Sequence, residues 1–261
     1  MLSYEVNQTE MLALFAEVAR RGKQLFVQYT GDDPARLKSA VNSLLAQGCD
    51  IVIVSGNLTQ EQCDDLASLS SRLVLINSNC SSEIPGRTIR YDYETAVLTA
   101  MQDLQQHGHR NVCYLCEKAW RIDQRMNAFC SIHPEKYIID CNLEGENGRS
   151  EEWFASLLAD NPECTAFFCI NDFIAMELMQ YILKSGRRIP EDYSILGFDN
   201  VQASALTVPE LSSIARPLPE AAKCALDMCQ KILEDKNHFQ ETTVLKCIYI
   251  ARGSIGTAAR Q

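Results

Sequence analysis

Positive charge is scarce in this chain. Its 261 residues carry 24 Lys and Arg against 34 Asp and Glu, a formal net charge of −10. The basic residues never gather beyond the pairs Arg20–Arg21 and Arg187–Arg188. Neutralising a nucleic-acid backbone takes a cluster or stripe of Lys and Arg, so the chain by itself makes a poor DNA binder. Long apolar runs are missing too. No stretch approaches the roughly 20 residues that a membrane-spanning helix needs. The opening MLSYEVNQTEML has neither a basic start nor an extended apolar core, and does not read as a secretory signal. Low-complexity segments and short repeats are also lacking.

The motifs of common enzymes are missing as well. There is no G-x-S-x-G, G-x-x-x-x-G-K, G-x-G-x-x-G or H-E-x-x-H. The four histidines, at 107, 109, 133 and 238, do not suggest a metal site. No cofactor and no metal are expected. Cysteine, in contrast, is plentiful, with 12 residues. Cys113, Cys116, Cys130, Cys141, Cys169, Cys224, Cys229 and Cys247 sit in apolar runs, the usual setting of reduced, buried thiols. A chain of this length does not need disulfides, and with no secretion signal the cytoplasm is the expected compartment. Cys113-x-x-Cys116 lies on a strand pattern, where positions i and i+3 face opposite sides. It also lacks a second ligand pair, so it is read as structural.

What the chain has is alternation. Met11, Leu14, Phe15 and Val18 give a helical stripe closed by Gly22. Residues 25–29 read as a strand. Asp33-Pro34 opens a helix carrying Leu37, Val41, Leu44 and Leu45, closed by Gly48. Residues 51–54 and 73–76 read as strands, with a capping-box helix from Thr59 and Gln62 between them. A helix lined by Ala96, Val97, Ala100, Met101 and Leu104 ends at Gly108. Strands follow at 112–115, 137–141 and 166–170, and a last helix at 219–234 precedes a strand at 244–250. The pattern is α/β, a doubly wound parallel sheet made twice.

One stretch orders the rest. Residues 166–170 form a short apolar run ended by Asn171-Asp172. A helix follows with Ile174, Leu178, Tyr181 and Ile182 on one face, and Gly186 and Pro190 stop it. A second strand, 194–198, ends in Asp199-Asn200. In a parallel sheet both strand ends lie on one edge, the edge where such folds bind ligands.

The series IND at 170–172, IPED at 189–192, ILGFDN at 195–200 and VPELSSIARP at 208–217 resembles the LacI/GalR family of bacterial transcriptional regulators. Gly108-His109-Arg110, Arg125 and Ala251-Arg252-Gly253-Ser254 extend the likeness over almost the whole chain. It covers the ligand-sensing domain, whose fold periplasmic sugar-binding proteins share. The resemblance implies two α/β lobes of the periplasmic-binding-protein type around a cleft, with three crossovers near 108, 216 and 243. The N-terminal lobe would be 1–108 with 217–243, and the C-terminal lobe 109–216 with 244–261. It implies a homodimer that binds a small sugar or sugar derivative and controls DNA binding allosterically, with no bond broken. DNA would be met only through a helix-turn-helix segment that this sequence does not show. The family's first strand, which precedes the first helix, is absent or curtailed here.

The resemblance also marks candidate ligand residues. Asp199 would accept from ligand hydroxyls; its plainer reading is an Asx-turn. Asn171 suits hydroxyl recognition or simply caps the next helix. Asp172 reads as a cap or hinge residue. Arg125 would clamp the ligand, although Ala128-Phe129 replaces the family's Gly-aromatic pair, and a solvated helix Arg is the alternative. Asp92 falls at a polar ligand position or is the N-cap of the helix from Tyr93, with Tyr91 and Tyr93 offering an apolar face. His109 is assigned a structural role. Arg216 stands before Pro217 where the family usually carries Gln. A buried guanidinium needs an anion, which either Asp92 or Asp199 supplies, or an acidic effector does. Two other functions remain in view. A periplasmic-type sugar-binding protein shares the fold, and a hydrolase would need Asp199 and Asp92 as its acid–base pair.

Overall fold

The computed structural model describes residues 2–30, 34–56, 58, 60–76, 87–116, 124–141, 150–234 and 241–258. The described chain forms two compact units, Met1–Tyr91 with Pro217–Leu245, and Asp92–Arg216 with Lys246–Gln261.

The first unit holds α1 (Leu2–Arg20), α2 (Pro34–Ala46), β1 (Val52–Ser55), α3 (Gln60–Ala67), β2 (Leu73–Ile76), nearly all of β3 (Arg87–Asp92), α8 (Leu218–Glu234) and most of β9 (Glu241–Lys246). Its sheet runs in the order β1-β2-β3-β9, with β1, β2 and β3 parallel. Leu37 and Val41 of α2 meet Val52, Val54, Leu66, Leu73 and Leu75 in one cluster. These are the apolar positions that the 3.6- and 2-residue periods single out. α8 turns Ala221, Ala225, Met228 and Ile232 inward and packs on α1 and β2. Arg21 bridges the two helices, with Nε 2.7 Å from Glu17 and Nη2 2.6 Å from Asp227. Arg20 and Arg21 together hold the Glu17 carboxyl at about 2.

Two expectations fail here. Residues 25–29 are not a strand. They form no regular element, and Phe26 and Tyr29 are 59% and 62% exposed. The described sheet begins at β1 and does not include this segment, so its β-prone composition does not by itself make a strand. Brief chymotrypsin treatment is expected to cut after Phe26 or Tyr29, read by N-terminal sequencing. Finding 24–30 intact after digestion would contradict this exposure. The second failure is β3, an unpredicted strand that carries Arg87 and Arg90. Asp33 and Thr59, expected to cap α2 and α3, lie outside the described residues.

The second unit holds α4 (Tyr93–Gln106), β4 (Val112–Cys116), α5 (Gln124–Cys130), β5 (Ile138–Asp140), α6 (Glu151–Asp160), β6 (Ala166–Cys169), α7 (Asp172–Lys184), β7 (Ser194–Phe198), β8 (Ser212–Ala215) and β10 (Ile248–Ile250). The sheet order is β10-β8-β7-β6-β4-β5, parallel except for β10 against β8. Every residue of β4, β6 and β7 is buried, which is why these strands read as largely apolar runs. Tyr114 stacks on Phe168 at 4.7 Å, with Phe129 at 5.3 Å.

Residues 92–108, assigned from the sequence to the N-terminal lobe, belong to this second unit. The reason is packing: α4 lies on α5, β8 and β10, and the Tyr249 hydroxyl donates to Asp103 at 2.6 Å. The strand expected at 244–250 is two, β9 and β10, which belong to different sheets. His109 takes the structural role expected of it. Its ring nitrogens meet Thr165 Oγ1 at 2.8 Å and the Gly256 carbonyl at 3.0 Å, and burial lowers its pKa. The eight cysteines singled out as reduced are all free. Cys63, on α3, departs from that pattern and is disulfide-bonded. It is also fully buried.

Candidate functional site

The second unit brings the candidate residues to one end of its sheet. Asp199 follows β7 directly. Its amide donates to the Ile214 carbonyl at 2.8 Å, and its φ of 96° and the 49° of Asn200 are left-handed. Side chains rarely hold that conformation without support. The support is local. Asn200 N–H donates to Ser213 Oγ at 3.0 Å, and Arg252 donates to Asn200 Oδ1 and to the Leu211 carbonyl, each at 2.5 Å.

Arg216, just after β8, donates from Nε to Asp199 Oδ1 at 3.0 Å, and the two side chains are only 5% and 6% exposed. Of the two carboxylates weighed as its partner, Asp199 is the one. The other oxygen, Asp199 Oδ2, is buried and has no hydrogen-bond partner among the described residues. A buried acceptor left unmatched costs about 1–3 kcal/mol. This oxygen therefore keeps acceptor capacity that the described residues do not use.

Arg125, the second residue of α5, lies with its guanidinium carbon 4.6 Å from the Phe198 ring centre and 5.8 Å from that of Tyr93. Those two rings meet edge to face at 5.5 Å. Arg125 Nη1 donates to the Ile170 carbonyl at 2.8 Å, beside Asn171. It is thus a held residue, not a solvated one. Each aromatic face adds about 0.5–2 kcal/mol to fixing the fork.

Asn171 and Asp92 both cap helices. Asn171 Oδ1 accepts from Ile174 N at 2.9 Å, and Asp92 Oδ1 accepts from Thr95 N at 3.0 Å. Each cap stabilises its helix by about 1 kcal/mol. The capping reading of each is thereby observed. It uses one oxygen of each side chain, so it does not compete with ligand contact by the remaining polar atom.

One thiol reports how closely the charges gather. Cys247, between β9 and β10, is pushed up to about 12, first by burial. Arg216 and Arg125 oppose the shift, and Asp92 and Asp199 add to it. Two carboxylates and two guanidinium groups thus act electrostatically on this one thiol, in opposite directions. Tyr91, weighed as an apolar face, is buried in β3 at 2% exposure; Tyr93 and Phe198 are the rings at the site.

Beneath the Asp199–Asn200 corner lies a residue read from sequence only as a cap or hinge. Asp172 is fully buried. Its Oδ2 accepts from Val201 N at 2.8 Å and Ser204 Oγ at 2.5 Å, and its Oδ1 from Ser213 Oγ at 2.6 Å. One carboxylate thus ties the start of α7 to the corner and to β8. Burial raises its pKa to about 7 against these hydrogen bonds, and the charge of Asp199 adds to the rise. The sequence held a signal for it. Gly197 interrupts an apolar strand, and a strand glycine marks close approach; a Cβ there would lie 2.1 Å from Asp172 Oδ1.

No group of three or more His, Cys, Asp or Glu suited to a metal occurs among the described residues. Among them no helix is long and apolar enough to cross a membrane.

Comparison with known proteins gives a consistent picture. Residues 101–255 match the family described as periplasmic binding protein-like domain. The HTH-type transcriptional repressor PurR of Mannheimia succiniciproducens is 27% identical over 281 residues, covering 97% of this chain and 83% of that protein. The Escherichia coli transcriptional repressor ascG has the same fold, with a TM-score of 0.80 at 20% identity over 97% of this chain and 95% of that one. A LacI family regulator of Enterococcus faecium, solved with bound ribose, aligns with a TM-score of 0.79 at 20% identity, over 97% and 94% of the two chains.

Proposed function

The chain belongs to the periplasmic binding protein-like family as an effector-sensing domain of the LacI/GalR type, and from that premise we propose that Asp199, Arg125, Asn171, Asp92 and Arg216 form its effector site. The effector is a neutral, hydroxyl-rich molecule, a sugar or sugar derivative. The observation that carries this is the Asp199 carboxylate: Oδ1 is matched by Arg216 while Oδ2 is buried and open to a donor. Because Arg216 already has its anion, an acidic effector is not required to balance it. A hydroxyl donating to Oδ2 leaves the ion pair in place, and the Arg125 fork and the Asn171 amide supply donors to ring and hydroxyl oxygens.

The domain works as a regulator rather than an enzyme. Ligand binding shifts a population between states of the protein, and a homodimer passes the change to DNA-binding segments. Ten described cysteines are free, which favours the cytoplasm.

A thermal-shift screen of neutral sugars, sugar phosphates and purines tests the effector class, because a ligand that binds only the folded protein raises its melting temperature by mass action. Asp199→Asn is then expected to weaken the hit by about 1.5–3 kcal/mol, the scale of a hydrogen bond to a charged group, as read by calorimetry. Stabilisation by sugar phosphates alone, or an unchanged affinity in Asp199→Asn, would overturn the assignment.

A further inference from the structure

Far along the strands from the Asp199 corner, two cysteines meet. Cys113 is the second residue of β4, and Cys164 lies two residues before β6. Their sulfurs are 2.9 Å apart, and both residues are buried, at 0% and 1% exposure. Non-bonded carbon atoms normally stay about 3.5–4.0 Å apart, whereas a disulfide spans about 2.0 Å. The contact lies between these limits and needs less than about 1 Å of closure to become a bond.

The backbone holds the pair in place from both sides. β4 and β6 are hydrogen-bonded neighbours, with Val112 opposite Ala166 and Cys113 opposite Phe167. Cys164 closes a turn onto the Asn161 carbonyl at 3.0 Å. Asn111 Nδ2 donates to the Glu163 carbonyl at 3.3 Å, and Tyr137 fixes Asn111 by donating to its Oδ1 at 2.9 Å. Cys164 is therefore delivered to Cys113 by the fold, not by a mobile loop.

We propose that Cys113 and Cys164 are an oxidative modification site, closing to an intramolecular disulfide when the folded protein meets a peroxide. One sulfur, as thiolate, attacks a peroxide oxygen. An S–O bond forms, the O–O bond breaks, and the hydroxide released leaves as water with the thiol proton. The second sulfur then attacks the sulfenic sulfur; the S–S bond forms, the S–O bond breaks, and a second water leaves. Two thiols are oxidised and one hydrogen peroxide is reduced to two waters. The neighbouring sulfur and burial both raise the Cys113 thiol, so the first step waits on local opening and is slow. The same burial shields the finished bond from reductant. The bond would span residues 113–164 and so enclose most of β4 with α5, β5 and α6 in one covalent loop.

The test uses the full chain. Native protein is treated with hydrogen peroxide, quenched, denatured in alkylating reagent and digested for mass spectrometry. The expected product is the Cys113 and Cys164 peptides joined and lighter by two hydrogens, formed in native protein over minutes to hours and largely lost when oxidation is run in denaturant. Cys164→Ser should abolish the joined peptide, with Cys113 then recovered alkylated. Three results would overturn the proposal: both residues alkylated while other cysteines are oxidised, sulfinic acid at either position without the link, or equal yield in native and denatured protein. Because the readout on the parent chain needs no variant, a Cys164→Ser protein that fails to fold would leave the proposal testable.

Discussion

Gly197→Ala is expected to destabilise the second unit by about 3–4 kcal/mol, combining overpacking of a tight core with the loss of buried hydrogen bonds. The new Cβ would sit 2.1 Å from Asp172 Oδ1 and 3.0 Å from Leu211 Cδ2. An obstructing side-chain tip normally swings aside at little cost. This one cannot, because Val201 N–H, Ser204 and Ser213 all donate to it and it has no exposed surface. Moving it orphans the Val201 amide and loosens the Asp199–Asn200 corner, so stability and ligand affinity should fall together. The useful contrast is Gly186→Ala. There nothing lies within 4 Å, but φ is +80°. The cost should be only the left-handed strain, about 1–2 kcal/mol, with affinity unchanged. Thermal unfolding of the two variants beside the parent decides it. Equal shifts would mean that Asp172 is not wedged beneath residue 197.

Asp172→Leu should be as severe, about 3–5 kcal/mol, since it removes the acceptor for three donors without replacing it. By the usual scaling for a domain of this size, that lowers the melting temperature by roughly 10 °C. Asp172→Asn keeps the shape and one acceptor, so it should cost only about 1 kcal/mol, and it also removes a titration. The folded-state pKa of Asp172 is raised to about 7 from 3.8. A raised pKa means the fold prefers the protonated form, so this contribution to stability is complete below pH 3.8 and is lost as pH rises through 7. The parent should therefore lose ground to Asp172→Asn across that window. Denaturant melts at pH 5 and pH 8 measure the gap. If it does not change, the carboxylate is ionised throughout, held so by its three donors.

The parts of the fold that were legible in the sequence were those buried on both sides. β4, β6 and β7 are apolar almost throughout, and their flanking helices announce themselves through caps and glycines such as Asn171 and Gly186. β8 was not legible as a strand. Its Ser212 and Ser213 are polar yet fully buried, because their partners, Ser254, Arg252 and Asp172, lie some 40 residues away in the chain. Local composition cannot show a hydrogen bond of that span. Residues 25–29 failed the opposite way, having strand composition but no place in either described sheet. At the candidate site, Asp199, Arg125, Asn171, Asp92 and Arg216 are named from the resemblance, and the charges of Asp92, Asp199, Arg125 and Arg216 are all felt at Cys247. The sequence did not reveal that Arg125 rests on Phe198, or that the two left-handed residues of the corner depend on Arg252 and Asp172. Both facts belong to packing between strand ends.

The pairing of Asp199 with Arg216 also bears on which stereoisomers the protein can tell apart. On the proposed reading, in which Arg216 already pairs with Asp199, net charge does not draw the ligand in. Selectivity on that reading rests on direction: the buried Asp199 Oδ2 accepts from one ligand hydroxyl along its own lone pairs, while the Arg125 fork and the Asn171 amide donate to ligand oxygens. Sites built to meet a substrate hydroxyl reject analogues that lack it far more strongly than apolar pockets reject a missing methylene. Epimers that differ only in the side of the ring on which one hydroxyl stands should therefore be separated sharply, while groups added elsewhere on the molecule pass with little penalty.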